Sequence, residues 1–342
     1  MSRIAIIGAG AWGTGLSVAL GRQSRHRVRL WAHEKEVCES ITTGRINHLF
    51  LPEQVIPDTV SATGSLPEAL QDAEIVVSVM PSPHCRGLFQ RMRPLLNPAV
   101  LIVSATKGLE EETLLRMSQV IRSVVASDGG FSPRVGALSG PTFAREVARG
   151  DPTAITIASE DSALAEIVQR EFSDPRFRVY TNTDVAGVEL GGALKNIIAI
   201  AAGICDGLGF GHNSVAALIT RGLAEMSRLV VACGGHQETM SGLAGLGDLV
   251  LTCTGGLSRN RSVGVELGRG RPLSEIIAGM HGMVAEGVFT THAAVELAHT
   301  HGVEMPITAQ MDAILHQGKS PREAIRELMT RSGKSEHGAS VT

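Results

Sequence analysis

Three groups of residues have the types and spacing to do chemistry. Gly8, Gly10 and Gly13 form a G-x-G-x-x-G run with Ala9, Ala11 and Trp12 between them. Lys195 follows the pair Gly191-Gly192 and is the lone charge between Glu189 and Asp206. Asp248 stands alone among apolar and small residues, and Ser258-Arg259-Asn260 follows ten residues later.

The glycine run reads as a phosphate cradle. Arg3 to Ile7 is an apolar strand, and Thr14 to Leu20 is the apolar start of a helix. Strand, G-x-G-x-x-G and helix, in that order, form the dinucleotide-binding fingerprint. Gly8 permits the tight turn, Gly10 the approach of a pyrophosphate, and Gly13 close packing of helix on strand. The helix start adds free N–H groups and a positive dipole end.

Lys195 and Asp248 read as acid–base chemistry. A helical side chain leans over the residues three and four before it, which for Lys195 are Gly192 and Gly191. That spacing predicts open space beneath the amine for a substrate, and burial would lower its pKa into the range useful for proton transfer. The competing reading is a lysine snorkelling from a helix end. A carboxylate in apolar company needs a cationic partner, so Asp248 is expected to pair with Lys195. Hydroxyl, guanidinium, amide and a helix start at 258–260 suit a phosphate monoester. The blander reading makes Ser258 a helix cap and leaves Arg259 and Arg261 solvated.

These groups need a scaffold. Up to about residue 188, apolar strands (3–7, 28–31, 74–80, 100–104, 133–139, 153–158, 176–180) alternate with helical stretches (65–72, 84–96, 111–126, 161–172). That alternation implies βαβ units and a largely parallel sheet. Helical patterns dominate thereafter. Val188 to Ile204 is apolar almost all round, and a long helix capped by Asn213 or Ser214 should stop at Gly234-Gly235. The expected fold is α/β: an N-terminal Rossmann-like doubly wound sheet (1–188), an all-α C-terminal domain (189–332) and a disordered tail (333–342). In such a sheet the ligand lies outside the carboxyl ends of the strands, which selects loops 8–13, 80–84, 105–109 and 139–144. Lys107 is the only charge in its loop, a cation for phosphate or a substrate oxygen. After the second strand, His33 sits where an acid would bind a ribose hydroxyl, with Arg29 and Lys35 close by. This favours NADPH, or tolerance of both cofactors.

Composition narrows the class. At 342 residues the chain can hold two domains, and a net charge of −3 gives no reason to expect nucleic acid or an anionic membrane. Cys38, Cys85, Cys205, Cys233 and Cys253 form no metal spacing and point to reduced thiols in the cytosol. No leader peptide or membrane span is expected. His299 and His301 are two apart and make a poor metal pair on a helix, and Arg221, Glu225 and Arg228 read as a structural or subunit-contact stripe.

The combination resembles the bacterial-type NAD(P)-dependent glycerol-3-phosphate dehydrogenases across nearly the whole chain. The motifs are GAGAWGT (8–14), ATKGL (105–109), SGPTFA (139–144), GGALKN (191–196), ITRGLAEMSRL (219–229), GLGDLVLTCT (245–254), SRNR (258–261) and GVEMPIT (302–308). The resemblance implies reversible reduction of dihydroxyacetone phosphate to sn-glycerol 3-phosphate for glycerophospholipid synthesis, in a cytoplasmic, homodimeric enzyme. It places proton transfer on Lys195 and substrate contacts on Asp248, Ser258, Arg259, Asn260, Lys107, Gly140 and Thr142. Cofactor contacts fall on the glycine loop (Gly8, Gly10, Ala11, Trp12, Gly13), His33, Lys107, Ala144, Arg259, Val284 and Glu286; Asn196 and Thr252 line the same site. Family members often carry Ser where this chain has Ala11, so a hydroxyl contact there is lost. The alternatives are another β-hydroxyacid-type dehydrogenase of the same plan, or a non-catalytic NADPH sensor.

Overall fold

A computed structural model describes residues 2–127, 129–280, 283–333 and 335–336. Most of the expected polar tail (334 and 337–342) lies outside the described residues. Among the described residues ten strands form: β1 (Ser2–Ile7), β2 (His26–Trp31), β3 (Ile46–Asn47), β4 (Leu51–Val55), β5 (Val60–Thr63), β6 (Ile75–Ser78), β7 (Leu101–Ser104), β8 (Arg134–Ser139), β9 (Thr153–Ala158) and β10 (Phe177–Asn182). Eight of them build one sheet in the order β10-β9-β8-β7-β6-β1-β2-β5.

All neighbours in that sheet are parallel except β8 and β9. Parallel strands covered on both faces need unbroken apolar runs. Ile75-Val76-Val77-Ser78 and Leu101-Ile102-Val103-Ser104 are accordingly buried at every position. From β1 the chain winds outward through β2 to β5, then returns to β6 on the other side. That reversal is the switch point at which a doubly wound sheet leaves a crevice. The second sheet, the antiparallel hairpin β3–β4, was not anticipated from sequence.

The described residues beyond β10 contain helices and turns but no strand. The Val185–Gly207 helix is their buried axis. By length and composition it could cross a membrane, yet 94% of its most apolar window is buried within the fold. Glycines let a second helix, Arg259–Gly268, press directly on it. A Cβ on Gly264 would lie 1.9 Å from the Ile200 carbonyl oxygen, and one on Gly203 would lie 2.0 Å from that of Arg261. This backbone contact fixes where 259 and 260 stand relative to Lys195.

Several local expectations need correction. The helix after the 105–109 loop runs only over Met117–Val125, because residues 109–116 fold into a turn closed by a Leu109–Arg116 bridge. Gly211 caps the His212–Ala232 helix in place of Asn213 or Ser214. Glu225, by contrast, takes the structural role expected of it. It is 2% exposed and accepts hydrogen bonds from the Ile307 and Thr308 N–H groups, capping the Pro306–His316 helix from across the core.

Candidate active site

The carboxyl ends of β1, β6 and β7 open onto a cleft of about 680 Å³, whose far wall comes from the helices after residue 190. At its floor the glycine loop behaves as its spacing requires. Gly8 adopts φ +123°, and a Cβ there would lie 2.6 Å from the Val79 carbonyl oxygen. Gly10 has no atom within 4 Å of where a Cβ would stand, so the backbone is open to a ligand. The helix Ala11–Gly21 begins directly afterwards, with its first N–H groups at the cleft. The open glycine backbone and the helix start thus fit a dinucleotide pyrophosphate.

Opposite the loop lies a charged cluster. The Lys195 ammonium donates to Asp248 Oδ1 at 2.6 Å and to Thr252 Oγ1 at 2.7 Å. The Thr252 hydroxyl donates in turn to the Asp248 carbonyl at 2.6 Å, which turns a lone pair toward the amine. Lys107 donates to Asp248 Oδ2 at 2.5 Å and to the Gly140 carbonyl at 3.2 Å. One carboxylate, 1% exposed, therefore holds two ammonium groups from different parts of the chain. Burial pushes the Lys195 pKa down to about 8, with Lys107 acting in the same direction and Asp248 opposing both. An ammonium has three protons; two are placed on protein acceptors, and the third remains for a group in the cleft.

The reason Lys195 stands there differs from the expected one. The glycine pair leaves no void. A Cβ on Gly191 would lie 2.7 Å from the Ala244 carbonyl oxygen, and one on Gly192 2.6 Å from Ser139 Oγ. The pair brings the helix against the 243–247 turn and the end of β8. The pair lies inside the helix, which starts about two turns earlier at Val185. The Leu243–Gly247 turn is a π-helical widening that delivers Asp248 as the first residue of the helix Asp248–Thr254. Such widenings are frequent at functional sites.

Of the remaining expected residues, Thr142, Ala144, Ser258, Arg259, Asn260, Val284 and Glu286 line the same cleft, as do Ala11, Trp12 and His33. Gly13 and Gly140 lie behind its wall. Gly13 packs on the Gly8 carbonyl, and Gly140 supplies the carbonyl for Lys107. Ser258 caps its helix, accepting from Arg261 N–H at 3.2 Å. The Asn260 amide is held at both ends, donating to Asn196 Oδ1 and accepting from Gly287 N–H, each at 2.9 Å. Arg259 opens into the cleft, where the surrounding walls lower its pKa and Glu286 opposes that shift. Glu286 accepts from the Ser82 hydroxyl at 2.7 Å and its N–H at 3.1 Å; burial nonetheless raises its pKa to about 6.

The cations expected beside His33 are otherwise engaged. Arg29 donates to the carbonyls of Glu68 and Gln71, and the exposed Lys35 pairs with Glu39. Phe50 and Arg91 also line the cleft and were missed. Phe50 sits on the unforeseen hairpin connection, and Arg91 is one of two arginines in the ordinary amphipathic helix Cys85–Met92, so neither carried a signal. Among the described residues no His, Cys, Asp and Glu group could hold a metal ion.

A dinucleotide cradle facing a buried lysine–aspartate pair defines a nicotinamide-dependent dehydrogenase, with a Rossmann-like sheet joined to a helical half. The family models for the N-terminus and C-terminus of NAD-dependent glycerol-3-phosphate dehydrogenase match residues 3–165 and 184–326. The chain is 70% identical over 336 residues to the glycerol-3-phosphate dehydrogenase [NAD(P)+] of Koribacter versatilis, covering 98% of this chain and 99% of that one. It is similar in structure to glycerol-3-phosphate dehydrogenase of Coxiella burnetii, with a TM-score of 0.91, 41% identity and coverage of 96% and 99%. The yeast Saccharomyces cerevisiae enzyme superposes with a TM-score of 0.79 at 26% identity, covering 95% and 98%. The chain belongs to the NAD-dependent glycerol-3-phosphate dehydrogenase family.

Proposed function

We infer that the chain is an NAD(P)-dependent glycerol-3-phosphate dehydrogenase, interconverting dihydroxyacetone phosphate and sn-glycerol 3-phosphate. The observation that carries this reading is the Lys195 ammonium with two of its protons placed on Asp248 and Thr252 and one left for the cleft. A bound nicotinamide supplies or accepts the hydride. Gly8, Gly10, Ala11 and Trp12 form the floor beneath the dinucleotide, with Gly13 packing the helix against that floor from behind and His33, Ala144, Val284 and Glu286 on the walls. Arg259 and the helix start at Ser258 meet the substrate phosphate, with Asn260, Thr142 and Gly140 shaping that end and Arg259 also reaching the cofactor. Lys195 gives its proton to the carbonyl oxygen during reduction and takes the hydroxyl proton during oxidation. Asp248 keeps Lys195 oriented and favours its charged form. Lys107, on the other oxygen of the same carboxylate, adds a second positive charge beside the developing alkoxide.

We also place the domain boundary at 188/189, within the Val185–Gly207 helix, so that Lys195 belongs to the helical domain. A cytoplasmic homodimer, contributing to glycerophospholipid synthesis, agrees with the free cysteines and with the exposure of Phe210 and Val231 on the helical half. Light scattering on the purified chain reads the dimer directly, and a monomeric mass refutes it.

The decisive experiment follows absorbance at 340 nm with dihydroxyacetone phosphate, in parallel with NADPH and NADH. Decay in either cuvette establishes the reaction. No decay in both, with NADPH still bound, transfers the chain to the sensor reading. Turnover of a 2-keto acid in its place assigns it to another β-hydroxyacid-type dehydrogenase.

A further inference from the structure

We propose that Asn47, on the β3–β4 hairpin, is a positioning residue for the dinucleotide pyrophosphate; the proposal rests on the dinucleotide reading of the glycine loop. Asn47 is fully buried, and each polar hydrogen-bonding atom of its side chain is engaged. Its amide nitrogen donates to the Ala9 carbonyl at 2.8 Å and to Thr14 Oγ1 at 2.9 Å. Its amide oxygen accepts from Phe50 N–H at 3.0 Å. The Thr14 hydroxyl donates to the same Ala9 carbonyl at 3.2 Å. Ala9 is the residue between the first two glycines of the cradle, so two buried donors converge on one carbonyl inside the phosphate loop.

The consequence follows from peptide planarity. In a trans peptide the carbonyl of one residue and the N–H of the next point in opposite directions. Pinning the Ala9 carbonyl toward the hairpin therefore aims the Gly10 N–H away from it. Among the described residues that N–H has no protein acceptor, and the space over Gly10 is open. Glycines on both sides of Ala9 leave this peptide free to rotate. Without an external hold it would sample orientations that withdraw the donor from an anion. Asn47 supplies the hold from 38 residues away in sequence. Through its oxygen it also ties the backbone of Phe50, whose residue lines the cleft. One amide thus couples the floor of the cradle to part of its wall.

The test is Asn47→Asp, which keeps shape and the acceptor for Phe50 but replaces the donor with an oxygen facing the Ala9 carbonyl. NADH and NADPH dissociation constants are measured on the full chain by nucleotide fluorescence. Loss of a buried donor to the loop is expected to weaken both about 10- to 100-fold. The KM for dihydroxyacetone phosphate at saturating cofactor should stay within about twofold, since Asn47 touches no group on the substrate side. Thr14→Val removes the second donor isosterically and should give a smaller loss in the same direction, which keeps the idea testable if the Asp variant does not fold. A folded Asp variant with unchanged cofactor affinity, or one whose substrate KM rises as much, overturns the proposal. If the unmodified chain binds neither dinucleotide, the fault lies in the dinucleotide reading itself, a result distinct from failure of the variants alone.

Discussion

The two sides of the cleft are built by opposite means. The phosphate end of the cofactor side is backbone: a glycine turn, the first N–H groups of a helix and open space over Gly10, contributed by one short segment. The opposite side is side chain: Lys107, Lys195, Asp248 and Thr252, drawn from three segments and gathered around a single buried carboxylate. The backbone side binds a group whose chemistry is already complete, so it needs only donors and room. The charged side must move a proton, so it needs a titratable group whose pKa is set by burial and by neighbours. Replacement of one residue should therefore damage the second side far more than the first.

The largest expected effect is at Lys195. Lys195→Met removes the proton donor while preserving length and burial, and kcat should fall on the order of 10²- to 10⁴-fold. An unchanged kcat would falsify the assignment of proton transfer to this residue. Cofactor affinity, measured separately, should barely move, because the glycine loop is untouched.

Asp248→Asn comes next. It leaves the buried Lys195 ammonium and the half-buried Lys107 without their shared carboxylate, and breaking a buried pair costs about 3–5 kcal/mol of stability, readable as a lower melting temperature. It also has a signed effect on pH dependence. In the unmodified chain, reduction needs charged Lys195 and should decline as pH rises through about 8, whereas oxidation needs the free amine and should rise through the same value. Asp248 opposes the downward shift, so its loss should move both limbs to lower pH. Limbs that stay in place would detach the titration from Lys195.

Arg259→Ala should mainly raise the KM for dihydroxyacetone phosphate, by about 10- to 100-fold for one lost charge-assisted contact. An effect confined to the cofactor would contradict the phosphate assignment and place Arg259 with the backbone side.

The same contrast explains what the sequence disclosed. The glycine loop was legible to the residue, because strand, turn and helix are adjacent: a Cβ at Gly8 or Gly13 would strike backbone, and Gly10 leaves room for a ligand. On the charged side, residue types were legible and the Lys195–Asp248 pairing followed from the cost of a lone buried carboxylate. Lys107 as the second partner did not follow, since 141 residues separate it from Asp248. The packing role of Gly191-Gly192 was misread for a related reason. Nothing near 191 announces the Ala244 carbonyl that presses on it. The β3–β4 hairpin escaped because its strands hold only two and five residues, and the longer one exposes Pro52, Glu53 and Val55 in place of an apolar alternation.

The smallest expected effect concerns cofactor choice, where sequence and structure diverge. A preference for NADPH built on Arg29 and Lys35 around His33 loses one of its cations, since Arg29 is spent on the carbonyls of Glu68 and Gln71. Lys35 is exposed and already paired with Glu39, and a contact of that kind is worth at most about 1 kcal/mol. His33 itself lies beside Trp31, with ring centroids 5.9 Å apart, and faces the cleft. His33→Asp sets a carboxylate where a ribose hydroxyl would be accepted and a 2′-phosphate repelled. The ratio of kcat/KM for NADPH over NADH should therefore fall by roughly tenfold. Lys35→Ala should change that ratio by no more than about fivefold, as a solvent-exposed charge would. A larger change in the Lys35 variant than in the His33 variant would show that surface charge, rather than the loop residue after β2, sets the preference.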